Sequence, residues 1–301
     1  MHEALGEWCE RWLGSAISDV LFETGSLSAV TGVRLADSRE VVVKVRRCAP
    51  RLNAAYLVQR HVWQCGYPAP EPLVPPVPVG GADCASAEQL VGGGDIGGRG
   101  RGDAGRSAEA LAWLLRTTPA IADVGDLSPA PPWIAWDHAG PRLWPAPDGR
   151  PEGLDTVAGP GWLDDAALRA RERLGRYRAP RVIGHGDWHA ENVRWSGNKL
   201  LVVHDWDSVV YQPEAVVAGV AAAIFPAWDG CWQPASITES EEFLDAYLHA
   251  RPGLWAQDDI QAFWAATVWT RAFDAKEQSA DGPVTSLSQA EAQDRLTRAG
   301  A

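Results

Sequence analysis

Hydrophobic positions along the 301-residue chain recur at helical spacing in some segments and at strand spacing in others. Residues 3–15 place Leu5, Trp8, Trp12 and Leu13 on one face, which predicts a helix. Leu27–Leu35 and Glu40–Arg46 read as two strands around the polar turn Ala36–Arg39, and the second strand carries Lys44 inside the run VVVKV. Leu52–Cys65 predicts a helix ended by Gly66 and the proline-rich run GYPAPEPLVPPVPV, after which Ala85–Val91 reads as a strand. Helical spacing returns at Ser107–Arg116 and Asp164–Tyr177, followed by the strand Arg181–His185. Val193–Trp195 and Leu200–Val203 are apolar runs on either side of Ser196-Gly197-Asn198, so they predict a hairpin. Ser208–Phe225 predicts a buried helix, and Glu239–His249 and Asp258–Glu277 predict amphipathic ones. No internal repeat is evident.

Two segments break this rhythm. Gly92–Gly105 holds eight glycines in fourteen residues, but it lacks the strand, helix and Lys-Ser/Thr setting of a phosphate loop. It therefore reads as a flexible connection. Thr117–Gly161, rich in Pro, Gly and Trp, is long enough to predict a functional or disordered segment.

Composition narrows the class. A hydrophobic fraction of 46% with 22% charged residues is that of a soluble globular protein. The formal net charge of −12 argues against a general nucleic-acid binder, whose affinity rests on a basic surface. It is compatible with a cationic small-molecule substrate, and equally with plain solubility. The longest apolar run, Ala215–Phe225, is too short to span a bilayer, and no basic and apolar leader is seen. The expectation is a cytoplasmic protein without a membrane partner, of open oligomeric state. Five cysteines without a CxxC pair predict neither a disulfide framework nor a zinc ribbon, and they read as small core residues.

The chemistry concentrates between His185 and Asp207. HGDWHAEN (His185–Asn192) and HDWD (His204–Asp207) put Asp187, Asn192 and Asp205 on two loops flanking the predicted hairpin. A carboxylate there can accept a proton, while an amide oxygen and a second carboxylate can share Mg²⁺. Phosphoryl transfer needs those parts, because its catalysis is mostly positioning and charge neutralisation. Residue usage adds weight: the chain has only three lysines against 24 arginines, and only three asparagines. Lys44 and Asn192 are therefore improbable accidents.

These two motifs resemble those of the aminoglycoside phosphotransferase and choline kinase superfamily, distant relatives of protein kinases. The resemblance implies an α+β, two-lobed protein-kinase-like fold. Residues 1–91 would form a small antiparallel-sheet lobe that binds nucleotide, and residues 92–301 a larger, mainly helical catalytic and substrate-binding lobe. It implies Asp187 as catalytic base, Asn192 and Asp205 as Mg²⁺ ligands, and His185 as a support of the loop. Thr24-Gly25-Ser26 resembles the phosphate-covering loop, so Gly25 and Ser26 would lie near the phosphates. Lys44 would grip the α and β phosphates, and backbone groups of Gln89–Val91 would meet the adenine.

The implied activity is transfer of the γ-phosphoryl of ATP or GTP to a hydroxyl of a small molecule. Acceptors in the family include aminoglycosides and other antibiotics, choline, homoserine and sugars. An antibiotic comes first here, because the Trp-rich segment and acidic balance suit a bulky polycation. Asp229, Asp274 and Glu277 are candidate amine binders, against a solvated helix face. Trp133, Trp136, Trp188 and Trp228 are candidate substrate walls, against plain core packing. Asp207 could reach the metal or hydrogen-bond the loop backbone.

Two departures from the family stand out. Kinases pair the strand lysine with a Glu of the following helix, yet Leu52–Gln64 contains no acid. Asn53, Tyr56 or Gln59 could substitute by hydrogen bonding, or Glu23 or Glu71 could come from elsewhere. The family also braces its catalytic loop with an Asp in the helix that follows, where Glu214 is the only acid. Two other classes stay open: a non-catalytic nucleotide-binding regulatory protein, and a zinc hydrolase using His185, Asp187, His189 and Asp205.

Overall fold

Alternation along one strand organises the N-terminal part. In the computed structural model, which describes residues 2–25, 28–145, 153–228, 230, 232–253 and 255–301, this part comprises α1 (His2–Leu13), β1 (Ile17–Gly25), β2 (Ala29–Leu35), β3 (Glu40–Arg47), α2 (Pro50–Gln64), β4 (Pro72–Gly80) and β5 (Asp83–Gln89). The strands form one antiparallel sheet in the order β1-β2-β3-β5-β4. Val41 and Val43 of β3 pack with Leu5, Trp8, Cys9 and Leu13 of α1 on one face. Fully burying each such valine contributes roughly 1.5–3 kcal/mol. Val42, Lys44 and Arg46 occupy the other face, where they line a recess with Leu52, Tyr56 and Gln59 of α2.

Two strands of this sheet are absent from the hydrophobic pattern. β1 is largely exposed, so its apolar residues show no buried alternation. β4 lies within the proline-rich run. Its place at the sheet edge explains the prolines, which lack the N–H that an interior strand must donate.

Cys48 and Cys84 are joined in a disulfide, with Cα atoms 5.0 Å apart, which corrects the expectation of unpaired cysteines. Pairing of β3 with β5 sets Arg46 opposite Cys84 and so brings together residues distant in sequence. Cys9 is buried and free, Cys65 is exposed and free, and Cys231 lies outside the described residues.

The C-terminal part comprises β6 (Asp95–Ile96), α3 (Asp103–Thr117), α4 (Ile121–Val124), α5 (Gly161–Arg176), β7 (Arg181–His185), β8 (Val193–Ser196), β9 (Lys199–Val203), β10 (Val209–Pro213), α6 (Glu214–Ile224), α7 (Ile237–Ala250), α8 (Gln257–Asp281) and α9 (Gln289–Ala299). At its centre is α6, whose residues 215–224 are all buried. Close contact with α8 requires Gly219, where a Cβ would lie 2.4 Å from the Phe263 carbonyl oxygen. The helix predicted from Ser208 begins only at Glu214, because Val209–Pro213 pairs with β7 instead. A short apolar run fits a strand or a helix equally, and the available partner decides.

The glycine-rich segment is not a free connection. β6 pairs with β8, Asp103 accepts from the N–H groups of Gly98 and Gly100, and Arg99 binds Glu239 and the carbonyls of Gln233 and Pro234. Among the described residues, no helix is long and apolar enough to cross a membrane.

Candidate active site

β7 delivers His185 into the interior, and one imidazole then joins the two motifs. Its Nδ1 accepts from the Asp187 N–H at 3.2 Å, and its Nε2 lies 2.9 Å from the His204 carbonyl oxygen. That pattern assigns the proton to Nε2, and burial lowers the ring's pKa and favours the neutral form. Gly186 is clasped by its backbone: its N–H donates to the Ser208 carbonyl at 2.7 Å, and its carbonyl accepts from the Trp133 indole at 2.7 Å. A Cβ there would come 2.9 Å from Val210 and 3.0 Å from the Ser208 oxygen, so glycine permits the approach.

The loop then turns Asp187 toward Asn192. The Asn192 Nδ2 donates to the Asp187 Oδ2 at 3.1 Å and to the Asp187 carbonyl at 2.9 Å. With nitrogen so engaged, the amide oxygen is the Asn192 atom left for a cation. His189 joins them, with Nε2 at 3.4 Å from Asp187 Oδ2 and 3.0 Å from Asn192 Nδ2. The zinc reading includes this imidazole, but it belongs to the loop's own hydrogen-bond cluster.

Asp205 sits in the left-handed region, φ 56° and ψ 55°, directly after His204. Ser208 Oγ donates to its Oδ2 at 2.6 Å, and Lys44 Nζ lies 4.0 Å from its Oδ1. Burial works to raise its pKa, but Lys44 and the Ser208 hydrogen bond outweigh it and hold Asp205 below the ordinary value. Asp207 behaves oppositely. Burial raises its pKa even though Arg46 contacts it at 2.7 Å.

Lys44 is buried between these groups and Glu88, whose Oε1 is 3.2 Å from the ammonium. Burial alone would lower its pKa; Glu88, Asp207 and Asp205 together raise it, so the lysine is held charged. The pairing acid is therefore Glu88 of β5, not Glu23 or Glu71. Gln59 of α2 takes part indirectly, donating to Glu88 Oε2 at 2.8 Å and to the Pro70 carbonyl at 3.1 Å. Asn53 and Tyr56 are not the pairing groups. Sequence reasoning missed Glu88, although the alternation of buried Ala85 and Ala87 with Ser86 and Glu88 marked a polar face on that strand.

A profile described as the phosphotransferase enzyme family matches residues 22–261. The chain belongs to this family. It is a phosphotransferase by family, and its fold is the kinase-like fold of aminoglycoside phosphotransferases. A thermostable mutant of aminoglycoside phosphotransferase APH(4)-Ia, in ternary complex with ADP and hygromycin B, is similar in structure with TM-score 0.62, 12% identity and 99% of each chain covered. The amicoumacin kinase hAmiN, in complex with AMP-PNP, Ca²⁺ and Ami, gives TM-score 0.61 and 12% identity over 93% of this chain and 86% of that one. A choline/ethanolamine kinase family protein from Mesorhizobium loti gives TM-score 0.51 and 16% identity over 94% and 87%. Comparison with curated protein sequences gave no match.

The other predicted residues of this phosphotransferase have varied surroundings. Gly25 ends β1, while Gln89 ends β5 and Val91 follows it; the Gln89 N–H is taken by the Glu71 carbonyl at 2.8 Å. Ser26 and Asp229 lie outside the described residues. Trp136 and Trp188 are buried core residues, Trp133 clasps the loop that follows β7, and Trp228 remains exposed. Glu214 does not brace that loop: its carboxylate accepts from Tyr247 at 2.8 Å and from Arg251 at 2.7 and 2.9 Å. The bracing is done by Gly186, Ser208 and Trp133.

Asp274 on α8 stands out electrostatically. Burial, with Glu277 and Asp187 adding to it against Arg271, pushes its carboxyl up to about 7. Its Oδ2 is buried without a hydrogen-bond partner among the described residues. Trp232 contributes to this group as a hydrogen-bond donor and stacks edge-on with His189 at 5.8 Å.

Proposed function

We propose that this chain transfers the γ-phosphoryl of ATP or GTP to a hydroxyl of a cationic small molecule, an aminoglycoside or another antibiotic first. The observation that carries the reading is that Lys44, from the N-terminal sheet, meets the His185–Asp207 stretch that carries Asp187, Asn192 and Asp205. Lys44 lies 4.0 Å from Asp205, and Asn192 holds Asp187 at 3.1 Å. Residues 1–91 would hold the nucleotide, with Lys44 on its phosphates, Gly25 and Ser26 covering them, and backbone groups of Gln89 and Val91 at the base. Residues 92–301 would supply the catalytic loop and the acceptor site.

Asp205 and the Asn192 amide oxygen fit Mg²⁺, since both are hard oxygen donors and Asp205 is held ionised. When bound, Mg²⁺ neutralises charge between the β and γ phosphates. Asp187 takes the proton from the acceptor hydroxyl as that oxygen bonds to the γ phosphorus. The bond from phosphorus to the bridging oxygen breaks, and the nucleoside diphosphate leaves with that electron pair. Asn192 and His189 keep the Asp187 carboxylate aimed while this happens.

Trp232 hydrogen-bonds Asp274 and stacks on His189, which lies 3.4 Å from Asp187, and this group supports a cationic acceptor, because an ammonium would pair with Asp274 and pack against the aromatic rings. The hygromycin B and amicoumacin complexes of the similar proteins support an antibiotic acceptor, and AMP-PNP with Ca²⁺ supports a nucleoside triphosphate with a divalent cation. A zinc hydrolase is disfavoured, since both ring nitrogens of His185 are engaged in the loop. Nucleoside triphosphates are supplied in the cytoplasm, so the reading is a cytoplasmic one; the Cys48–Cys84 bond runs against the usual state of thiols there.

The test is ATP and GTP consumption over antibiotics, amino alcohols and sugars, with the product identified by mass. A product heavier by one phosphoryl group from a cationic acceptor is expected. Magnesium-dependent nucleotide binding without turnover of any acceptor would overturn the catalytic reading.

A further inference from the structure

The structure assigns Glu88 the positioning of Lys44, with the acid carried by the neighbouring strand and a neutral glutamine standing in the helix. This inference rests on the proposed nucleotide role of Lys44. The three side chains are buried, with Lys44 8%, Glu88 7% and Gln59 5% exposed. The two oxygens of Glu88 are divided between them: Oε1 faces the ammonium at 3.2 Å, and Oε2 accepts from Gln59 Nε2 at 2.8 Å. Gln59 also donates to the Pro70 carbonyl at 3.1 Å, so its amide nitrogen is anchored at both ends of the contact.

Sheet register makes the pairing possible. Val42 lies opposite Glu88 and Lys44 opposite Ser86, so Glu88 is the diagonal neighbour of Lys44 on the same face. Glu88 holds the ammonium from one side and leaves it 4.0 Å from Asp205 on the other. A buried charge pair is seldom more stable than an apolar pair of the same size. Stability alone therefore gives little reason for this one, whereas aiming a cation at phosphate oxygens does.

The experiment compares wild type, Glu88→Gln, Gln59→Glu and the exchange variant Gln59→Glu/Glu88→Gln. Readouts are magnesium-nucleotide binding, KM for nucleotide and for acceptor, and melting temperature. Glu88→Gln is expected to raise the nucleotide KM about tenfold, equivalent to about 1.4 kcal/mol, and to leave the acceptor KM within about twofold. Gln59→Glu alone sets two carboxylates side by side and is expected to melt lower. The exchange variant returns one carboxylate beside the ammonium and is expected to recover most of the lost nucleotide affinity. Should Glu88→Gln fail to fold, the exchange variant, which keeps the cluster's charge, decides alone; folding without nucleotide binding overturns the inference.

An unchanged nucleotide KM in Glu88→Gln overturns it while leaving the phosphotransfer reading intact. Equal losses in both KM values that track a lower melting temperature overturn it too, since they mark a merely structural role. A wild type that binds no nucleotide overturns the reading and this inference together.

Discussion

Arg46 donates to Asp207 across 2.7 Å and so ties β3 to the last residue of HDWD, 161 residues away. Arg51 secures the turn there, donating to the Asp207 carbonyl at 2.7 Å and the Val209 carbonyl at 2.8 Å. The Asp207 carboxylate is thereby directed to the sheet, while Asp205 is left facing Lys44. Two aspartates separated by one residue thus have different surroundings.

Arg46→Met and Asp207→Asn should each lower the melting temperature, because each leaves a partly buried charged partner uncompensated. In a double-mutant cycle the two should couple by about 0.5–3 kcal/mol, the range for contacting residues. Additive losses within about 0.3 kcal/mol would mean that the contact does not hold the turn.

Asp205→Ala should abolish most magnesium-dependent nucleotide affinity, whereas Asp207→Asn should weaken it less. Isothermal binding of ATP with and without Mg²⁺ distinguishes them. Equal collapse of affinity at an unchanged melting temperature would make Asp207 a ligand as well.

Asp187→Asn should keep nucleotide binding nearly intact and reduce turnover by about 10² to 10⁴, the usual value of a positioned base. That corresponds to roughly 3–5 kcal/mol of barrier. Retention of more than about a tenth of wild-type turnover, with chemistry rate-limiting, would sink the base assignment.

Asp274 gives a pH-dependent prediction. Its carboxyl is raised from 3.8 to about 7, so between those pH values the folded chain keeps a proton that the unfolded chain has lost. Stability from the neutral form is complete below about 3.8, is lost as pH rises toward about 7, and changes no further above it. Asp274→Asn mimics the neutral form and should melt several degrees higher than wild type at pH 8. The difference should shrink toward pH 4, and turnover of a cationic acceptor should fall. A difference independent of pH would show that the carboxyl is not raised.

Much of the candidate site was legible because its residues are close in sequence. His185 through Asp207 carries Asp187, Asn192 and Asp205 on two loops around one hairpin, and hairpin geometry is local. Lys44 was legible for another reason: one lysine in a strand of valines is a break in pattern. Glu88 was visible only as a polar residue in a strand, since nothing local says which strand lies beside β3.

The longer-range misreadings share that origin. Val209–Pro213 has the composition of a buried helix or a buried strand, and the free edge of β7 chose the strand. The proline-rich run is a strand because it lies at the sheet edge, where missing N–H groups are tolerated. Cys48 meets Cys84, and Arg46 meets Asp207, only once the strands and the two parts of the chain are packed. The sequence by itself determined the periodicities, the turns and the two motifs, which depend on neighbours within a few residues. Tertiary structure alone decided which acid holds Lys44, which aspartate faces it, and which groups surround Asp274, because pairing, burial and electrostatics depend on residues that the chain brings together only by folding.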